Sequence, residues 1–386
     1  MRELSKRTAG FTDSVIRRMT RISHKYGAVN LSQGFPDFDP PKELLDRLAE
    51  APSLPHQYSV TCGAQNFREA LAEKQSRYMG LSIDPDREIV VTCGSTEAMM
   101  ASMLTVCNPG DRVAVFSPFY ENYGADIILS GAEPLFIPLR PPSFCFDPGE
   151  LESAFRKGAK ALILCNPSNP TGKVFSREEL EVISRLAIQY DSYVITDEVY
   201  EHIVYAPNAH TYIASLPGMR ERTLSCSSLS KTYSITGWRL GYIIAPEEIA
   251  EVAKKVHDFL TVGAASPLQE AAVAGLRFPQ GYYDELLKAY TARRDLFLNG
   301  LRQIGLPFTE PQAAYYVLLD ISEFKCEDDL EFCEKLAEKV GVGAVPGSVF
   351  FREPVNHLIR LHFAKTEATL TEALSRLQGI RKVFNT

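Results

Sequence analysis

The sequence predicts an α/β protein: a large domain with a mostly parallel sheet covered by helices, plus a smaller α+β domain. Three observations carry this prediction. Apolar runs of strand length alternate with longer helical patterns through the middle of the chain. The runs are nearly continuous in apolar residues, as in strands buried on both faces of a parallel sheet. After about residue 280 the character changes, and a long polar helix leads into a separate strand–helix–strand pattern. The expected division is therefore a large domain over 41–280, with 281–386 and the N-terminal segment 1–40 forming the smaller one.

The elements follow in order. EIVVTC (88–93) reads as a strand and STEAMMASMLTVC (95–107) as a helix. RVAVFS (112–117) is the next strand, followed by a helix through 119–130. KALILCN (160–166) precedes the helix SREELEVISRLAIQY (176–190), and SYVITDE (192–198) and TLSCSS (223–228) are further strands. The second region holds a helix over roughly 279–304, then AYYVLLD (314–320), DDLEFCEKLAEKVG (328–341), LIRLHFA (358–364) and a closing helix. Ligands of such sheets sit outside the carboxyl ends of the strands, so the residues just after each strand are the candidates for chemistry.

Composition narrows the class. The chain has 386 residues, 45% of them hydrophobic and 23% charged, which suits a folded globular protein. A net charge of −7 disfavours a nucleic-acid binder, which needs a basic face. None of the 8 cysteines forms a C-x-x-C pair, so they read as reduced, small hydrophobic residues of a cytoplasmic protein. MRELSKRTAGF has no apolar stretch after its charges, and no apolar run reaches the length of a membrane span.

The densest candidate is SSLSKTYSITGWRLGY (227–242). Ser228, Ser230, Lys231 and Arg239 share one loop after a strand. A lysine amine forms Schiff bases with carbonyl compounds, and a nearby cation or low dielectric leaves more of it unprotonated. Arg239 can hold a phosphate through two parallel hydrogen bonds. The alternative is a basic surface loop. Ser228-x-x-Lys231 also matches the S-x-x-K of penicillin-binding enzymes, but their S-D-N and K-T-G partners do not occur. NPSNPTGKVF (166–175) fixes an extended loop at a strand end and offers the Asn169 amide, or else is a plain turn. In ITDEVYEHI (195–203), Asp197 is either a partner for a cationic ring nitrogen, a helix N-cap or half of a metal-binding pair, and Tyr200 can donate to a phenolate. TCGSTEA (92–98) opens a helix with Gly94, Ser95 and Thr96, either an ordinary cap or a phosphate site. Phe119 in SPFYENY (117–123) is either a ring-stacking residue or core. Arg360 interrupts the apolar strand LIRLHFA and is either a carboxylate fork or a structural ion pair. GVGAVPG (341–347) follows a helix and lacks dinucleotide-binding spacing.

Together these segments resemble the fold-type I aminotransferases of class I/II, from LSQGFPDFDPP (31–41) to LIRLHFA, in order and in spacing. Within that family the pattern is closest to the kynurenine, glutamine and methionine branch. The resemblance implies pyridoxal 5'-phosphate held by Lys231 as a Schiff base. It implies that Asp197 pairs with the pyridine nitrogen, Tyr200 and Asn169 bond the ring's 3-oxygen, and Phe119 stacks on the ring. Ser95, Thr96, Ser228 and Arg239 would cradle the phosphate, joined by Tyr58 from the neighbouring subunit of a homodimer. Arg360 would grip the substrate α-carboxylate with Asn169 and backbone near Gly34. Lys231 would then move the α-proton in a ping-pong exchange between an amino acid and a 2-oxo acid.

Specificity is read from absences. Aspartate-specific members carry a second cation, as a lysine where this chain has Thr96 or as an arginine near FLTVGAASPLQ (259–269), which has none. A neutral donor is therefore expected: aromatic, methionine-like or glutamine. The rival activities are a β-lyase acting on cysteine S-conjugates, a transcription regulator on the same fold, which would need a DNA-binding domain ahead of LSQGF, and a Schiff-base aldolase, which would not need Asp197, Tyr200 or the phosphate residues.

Overall fold

The computed structural model describes residues 5–9, 11, 13–50 and 53–384. The expected N-terminal feature MRELSKRTAGF and the ends of the expected small domain lie partly outside the described residues. A short strand, β1 (Val29–Asn30), comes first. The large sheet follows with β2 (Ile89–Thr92), β3 (Arg112–Ser117), β4 (Glu133–Pro138), β5 (Ala159–Cys165), β6 (Tyr193–Asp197), β7 (Thr223–Ser228) and β8 (Gly241–Ile244). The C-terminal region adds β9 (Phe308–Thr309), β10 (Tyr316–Asp320), β11 (Val342–Gly343), β12 (Val345–Pro346) and β13 (Leu358–His362).

The large sheet has 7 strands in the order β2-β8-β7-β6-β5-β3-β4. Strands β4, β3, β5, β6 and β7 are paired in parallel; the central residues of β3, β5, β6 and β7 are buried, as continuous apolar runs require, while β4 is a partly exposed edge strand. β8 is the exception. It is antiparallel to both β7 and β2, and its first two residues lie in the segment 227–242 expected to form one loop. Because β8 reverses twice, β2 still runs the same way as β7. The carboxyl ends of β2, β3, β5, β6 and β7 therefore all open on one edge of the sheet, and every candidate segment of the large region lies there.

The second sheet is antiparallel, in the order β12-β13-β10-β9. It packs with the long helix Gln280–Ile304 and the helix Glu367–Leu377 in a core that also takes in Met19 and Leu31. β1 pairs with β11, so the N-terminal segment is tied to the C-terminal region by backbone bonds. Val199, Tyr200, Ile203 and Tyr205 enter the same core from the large sheet's edge. The two sheets therefore face one another across the DEVY segment, with Arg360 of β13 on one side and Asp197 of β6 on the other.

Boundaries moved at two points that matter. The helix expected over 119–130 begins at Glu121, leaving Phe119 and Tyr120 on the turn. The stretch 328–341 is α-helical only over Asp329–Lys335 and ends in a wider π turn, Leu336–Val340. The 8 cysteines are all free, and Cys107, Cys226 and Cys333 are buried. Cys145 is exposed, so the small-hydrophobe reading does not hold for it. Among the described residues no helix is long and apolar enough to cross a membrane.

Candidate active site

Lys231 lies three residues beyond the end of β7. Its Nζ is 3.3 Å from the carbonyl oxygen of Gly34 and 5.9 Å from the centre of the Tyr315 ring. Burial lowers its pKa from 10.5 to about 8. Asp197 opposes that shift, while Arg239 and Arg360 add to it. A lysine in this condition holds far more free amine near neutrality than an exposed one, which is what a carbonyl-trapping residue needs.

Asp197 closes β6. Its Oδ2 accepts a hydrogen bond of 2.6 Å from Tyr123 Oη, while its Oδ1 is buried without a partner. Burial pushes the carboxyl up, against the pull of Tyr123, the Val199 N–H and Lys231. An unpartnered buried carboxylate oxygen is destabilising, and a cationic N–H partner would relieve it. The other two open readings are not met. Asp197 is not the N-cap of any α-helix, and among the described residues no group of His, Cys, Asp and Glu could hold a metal. Its neighbour Glu198 turns away, towards His210 at 3.8 Å, in a buried network with Glu201 and Lys74.

The anion cradle is built by pairing. Gly241 of β8 lies opposite Ser228 on one side and Thr92 on the other, so Arg239, two residues earlier, stands between the ends of β7 and β2. The packing needs both glycines. A Cβ on Gly94 would come within 2.2 Å of Arg239 Nη2, and one on Gly241 within 2.3 Å of the Gly94 backbone. Gly94 also has φ +87°. Beyond it Ser95 and Thr96 open the helix Ser95–Val106, whose first N–H groups are unsatisfied donors. Glu97 braces this turn. Its Oε2 accepts the Cys93 N–H at 2.5 Å, and its Oε1 meets His257 Nδ1 at 2.5 Å and Thr261 Oγ1 at 3.1 Å. A phosphate fits here.

Arg360, buried in β13, donates to Asn169 Oδ1 at 2.7 Å and to the Ser32 carbonyl at 2.9 Å. Its guanidinium lies over the rings of Tyr316 (4.3 Å) and Phe350 (4.7 Å). No carboxylate of the chain is paired with it among the ion pairs of the described residues, so the structural ion-pair reading fails, and its Nε is buried without a partner. Tyr200 Oη is 2.9 Å from Tyr316 Oη, and Tyr315 Oη donates to Gly34 O at 2.9 Å. The structure thus brings together Lys231, Asp197, Tyr200, Asn169, Arg360 and Gly34, with Ser95, Thr96, Ser228 and Arg239 at the phosphate end.

One expected residue is not brought in, and Tyr58 is expected at the site of a neighbouring subunit rather than of its own. Phe119 stacks on Phe136 (centroids 5.6 Å, 15° between planes) under Arg352, inside the core. The neighbouring Tyr120 faces the site instead. Burial, then Glu121 and Tyr316, hold its hydroxyl above the usual tyrosine range, while Arg360 pulls it down. Phe119 is therefore corrected to a core residue. Tyr58 is 87% exposed on the surface of this chain. The sequence reading missed Tyr120, Tyr123, Tyr315 and Tyr316. The aromatic run SPFYENY and the pair in AYYVLLD were the available signals.

A buried lysine with a lowered pKa, an acid with one oxygen left over and a helix N-terminus open to an anion fit an enzyme working through a phosphorylated carbonyl cofactor. The chain belongs to the aminotransferases of class I and II, which it matches over residues 26–377. It is 38% identical to the methionine aminotransferase of Escherichia coli K12 over 369 residues, 95% of this chain and 96% of that protein. It is 34% identical to human kynurenine–oxoglutarate transaminase 1, across 91% of this chain and 92% of that one. A solved Escherichia coli structure assigned a methionine aminotransferase function superposes with a TM-score of 0.94 at 36% identity, covering 98% of this chain and 100% of the other. The protein is an aminotransferase dependent on pyridoxal phosphate.

Proposed function

We propose that the amino donor is a neutral L-amino acid, aromatic, methionine-like or glutamine, and that a cytoplasmic homodimer passes its amino group to a 2-oxo acid. The observation that carries this is Arg360, a buried cation that has no carboxylate partner among the described residues. Arg360 offers its fork between Tyr316 and Phe350, while the positions for a second cation are Thr96 and the uncharged stretch 259–269. An arginine held between two aromatic rings favours one carboxylate and an apolar remainder. The relatives acting on methionine and kynurenine agree with that chemistry.

When bound, pyridoxal phosphate supplies an aldehyde that condenses with amines and a ring that takes up an electron pair. The chain does the rest. Lys231 Nζ would hold the cofactor and, once freed by the donor amine, is the base placed to carry the donor's α-proton. Asp197 Oδ1, buried without a partner while Tyr123 fixes the other oxygen, would take the pyridine N–H. Tyr200 Oη and the Asn169 amide nitrogen, left free to donate once Oδ1 is taken by Arg360, would bond the ring oxygen. Tyr120 would be the aromatic residue beside the ring. Ser95, Thr96, Ser228 and Arg239 hold the phosphate, and Arg360, Asn169 and the backbone at Gly34 hold the donor carboxylate.

The homodimer rests on a surface patch. Tyr58 and Val60 lie beside Phe259 (91% exposed), Leu260 and Val262, with Thr61 Oγ1 bonded to Asp258 at 3.2 Å across the two segments. Exposed apolar clusters of this kind mark interfaces. This one adjoins the phosphate cradle, so a second copy seated on it would bring its own Tyr58 to that phosphate. The domain division at 41–280 belongs to the same reading. The test is a donor panel: single amino acids are added to the cofactor-loaded protein without an oxo acid, and loss of the absorbance band near ~420 nm is followed. Methionine, aromatic donors or glutamine reacting fastest supports the reading, and aspartate far ahead of them overturns it.

A further inference from the structure

Tyr316 opens β10 and pairs with His362 of β13. Arg360 lies two residues from His362, so Tyr316 and Arg360 are diagonal neighbours on one face of the sheet. The Tyr316 ring lies 4.3 Å below the Arg360 guanidinium. Its hydroxyl is buried 2.9 Å from the Tyr200 hydroxyl. Gly34 is pressed against that hydroxyl so closely that a Cβ there would come within 2.2 Å of it. One side chain thus touches the tyrosine at the ring-oxygen position, the arginine at the carboxylate position and the backbone that meets Lys231.

We propose that Tyr316 is a positioning residue for amino transfer, its hydroxyl donating to Tyr200 Oη so that the Tyr200 proton is left to point at the cofactor's ring oxygen. The inference rests on the site assignment given above for Lys231 and Tyr200. A tyrosine hydroxyl has one proton and two acceptor sites. Of two hydroxyls 2.9 Å apart, only one donates across the gap. If Tyr200 spent its proton on Tyr316, it would offer lone pairs to an electron-rich oxygen and repel it. If Tyr316 donates, Tyr200 is polarised into a stronger donor, as in any chain of hydrogen bonds. Gly34 closes the space beside the Tyr316 hydroxyl, which keeps the pair in register. A stronger bond to the ring oxygen stabilises its negative charge, which makes the lysine–cofactor linkage lose its proton at lower pH.

The experiment is a pH titration of the visible absorbance of the cofactor-loaded protein, wild type against Tyr316→Phe. The phenylalanine keeps the ring under Arg360 and removes only the hydroxyl. The midpoint should rise by about 0.2–0.6 pH units, the polarising share of one charge-assisted hydrogen bond. The donor KM should stay within about twofold, because the contact between ring and guanidinium remains. Tyr316→Leu, which loses both, should move the midpoint and the donor KM together. Superimposable titrations of wild type and Tyr316→Phe overturn the inference while leaving the Lys231 assignment intact. A protein that takes up no cofactor in any form overturns the site assignment, and the inference with it.

Discussion

Replacing Arg360 with lysine keeps the charge and removes the fork. The guanidinium, held between Tyr316 and Phe350, donates to Asn169 Oδ1 at 2.7 Å and to the Ser32 carbonyl at 2.9 Å, and its Nε is buried without a partner, which leaves donor capacity for a carboxylate. An ammonium can reach the carboxylate as a point charge, but it cannot bond it in parallel while also holding Asn169 and Ser32. The loss is about one charge-assisted hydrogen bond, roughly 1.5–3 kcal/mol, or about 10- to 150-fold in the apparent affinity for the donor. The assay is stopped-flow half-transamination at varied donor concentration. KM or kcat/KM should carry most of the loss. Decisive evidence comes from a donor amine lacking the carboxylate. It reacts slowly with wild type, and Arg360→Lys should leave that slow rate almost unchanged. If the substitution slowed amine and amino acid by the same factor, Arg360 would be acting on something other than the carboxylate.

Three further predictions follow from the same geometry. Phe119→Leu should lower thermal stability by about 1 kcal/mol, through lost stacking on Phe136, and leave the cofactor spectrum alone, whereas Tyr120→Leu should shift the spectrum and weaken cofactor binding. Lys231→Met should raise the melting temperature of cofactor-free protein at pH 7. Burial depresses the folded pKa from 10.5 to about 8, so the unfolded chain binds more protons between those values and the wild type gains stability as pH rises through that window. The gap between variant and wild type should therefore narrow from about pH 8 to 10.5, and a gap constant with pH would count against a buried amine. His257→Gln should weaken pyridoxal phosphate binding several-fold to tenfold, read by equilibrium dialysis, because Glu97 loses a partner at 2.5 Å that fixes the Cys93 turn of the cradle. Unchanged affinity would make the His257–Glu97 pair structural only.

Much of the site was legible because its chemistry sits at strand ends. Asn169 follows and Asp197 closes a short apolar run recognisable as a strand, Lys231 follows the short strand TLSCSS, and the fold makes those ends converge. Arg360 was legible for a different reason: a charged side chain interrupts a buried strand, and burial demands a partner. What was hidden depends on rotation and on partners distant in sequence. SPFYENY holds three aromatics, and which one faces the cofactor depends on the helix starting at Glu121 rather than 119. A shift of one residue there exchanges Phe119 for Tyr120. Tyr123 bonds Asp197 from 74 positions away, and Tyr316 bonds Tyr200 from 116 away, pairings that no local pattern encodes. β8 was lost because GYII is only 4 residues long and follows directly on the lysine loop. Its antiparallel course is also what brings Arg239 to the phosphate end.

The central claim is that Lys231 carries the cofactor. The direct measurement is borohydride reduction of the protein loaded with pyridoxal phosphate, followed by proteolysis and mass spectrometry of the lysine-containing peptides. The account predicts a stable pyridoxyl adduct on the peptide holding Lys231, absent when the loaded protein is treated with a reactive amino donor before reduction. An adduct on Lys74, Lys173 or Lys365, which are buried among the described residues, or no adduct at all, would contradict it.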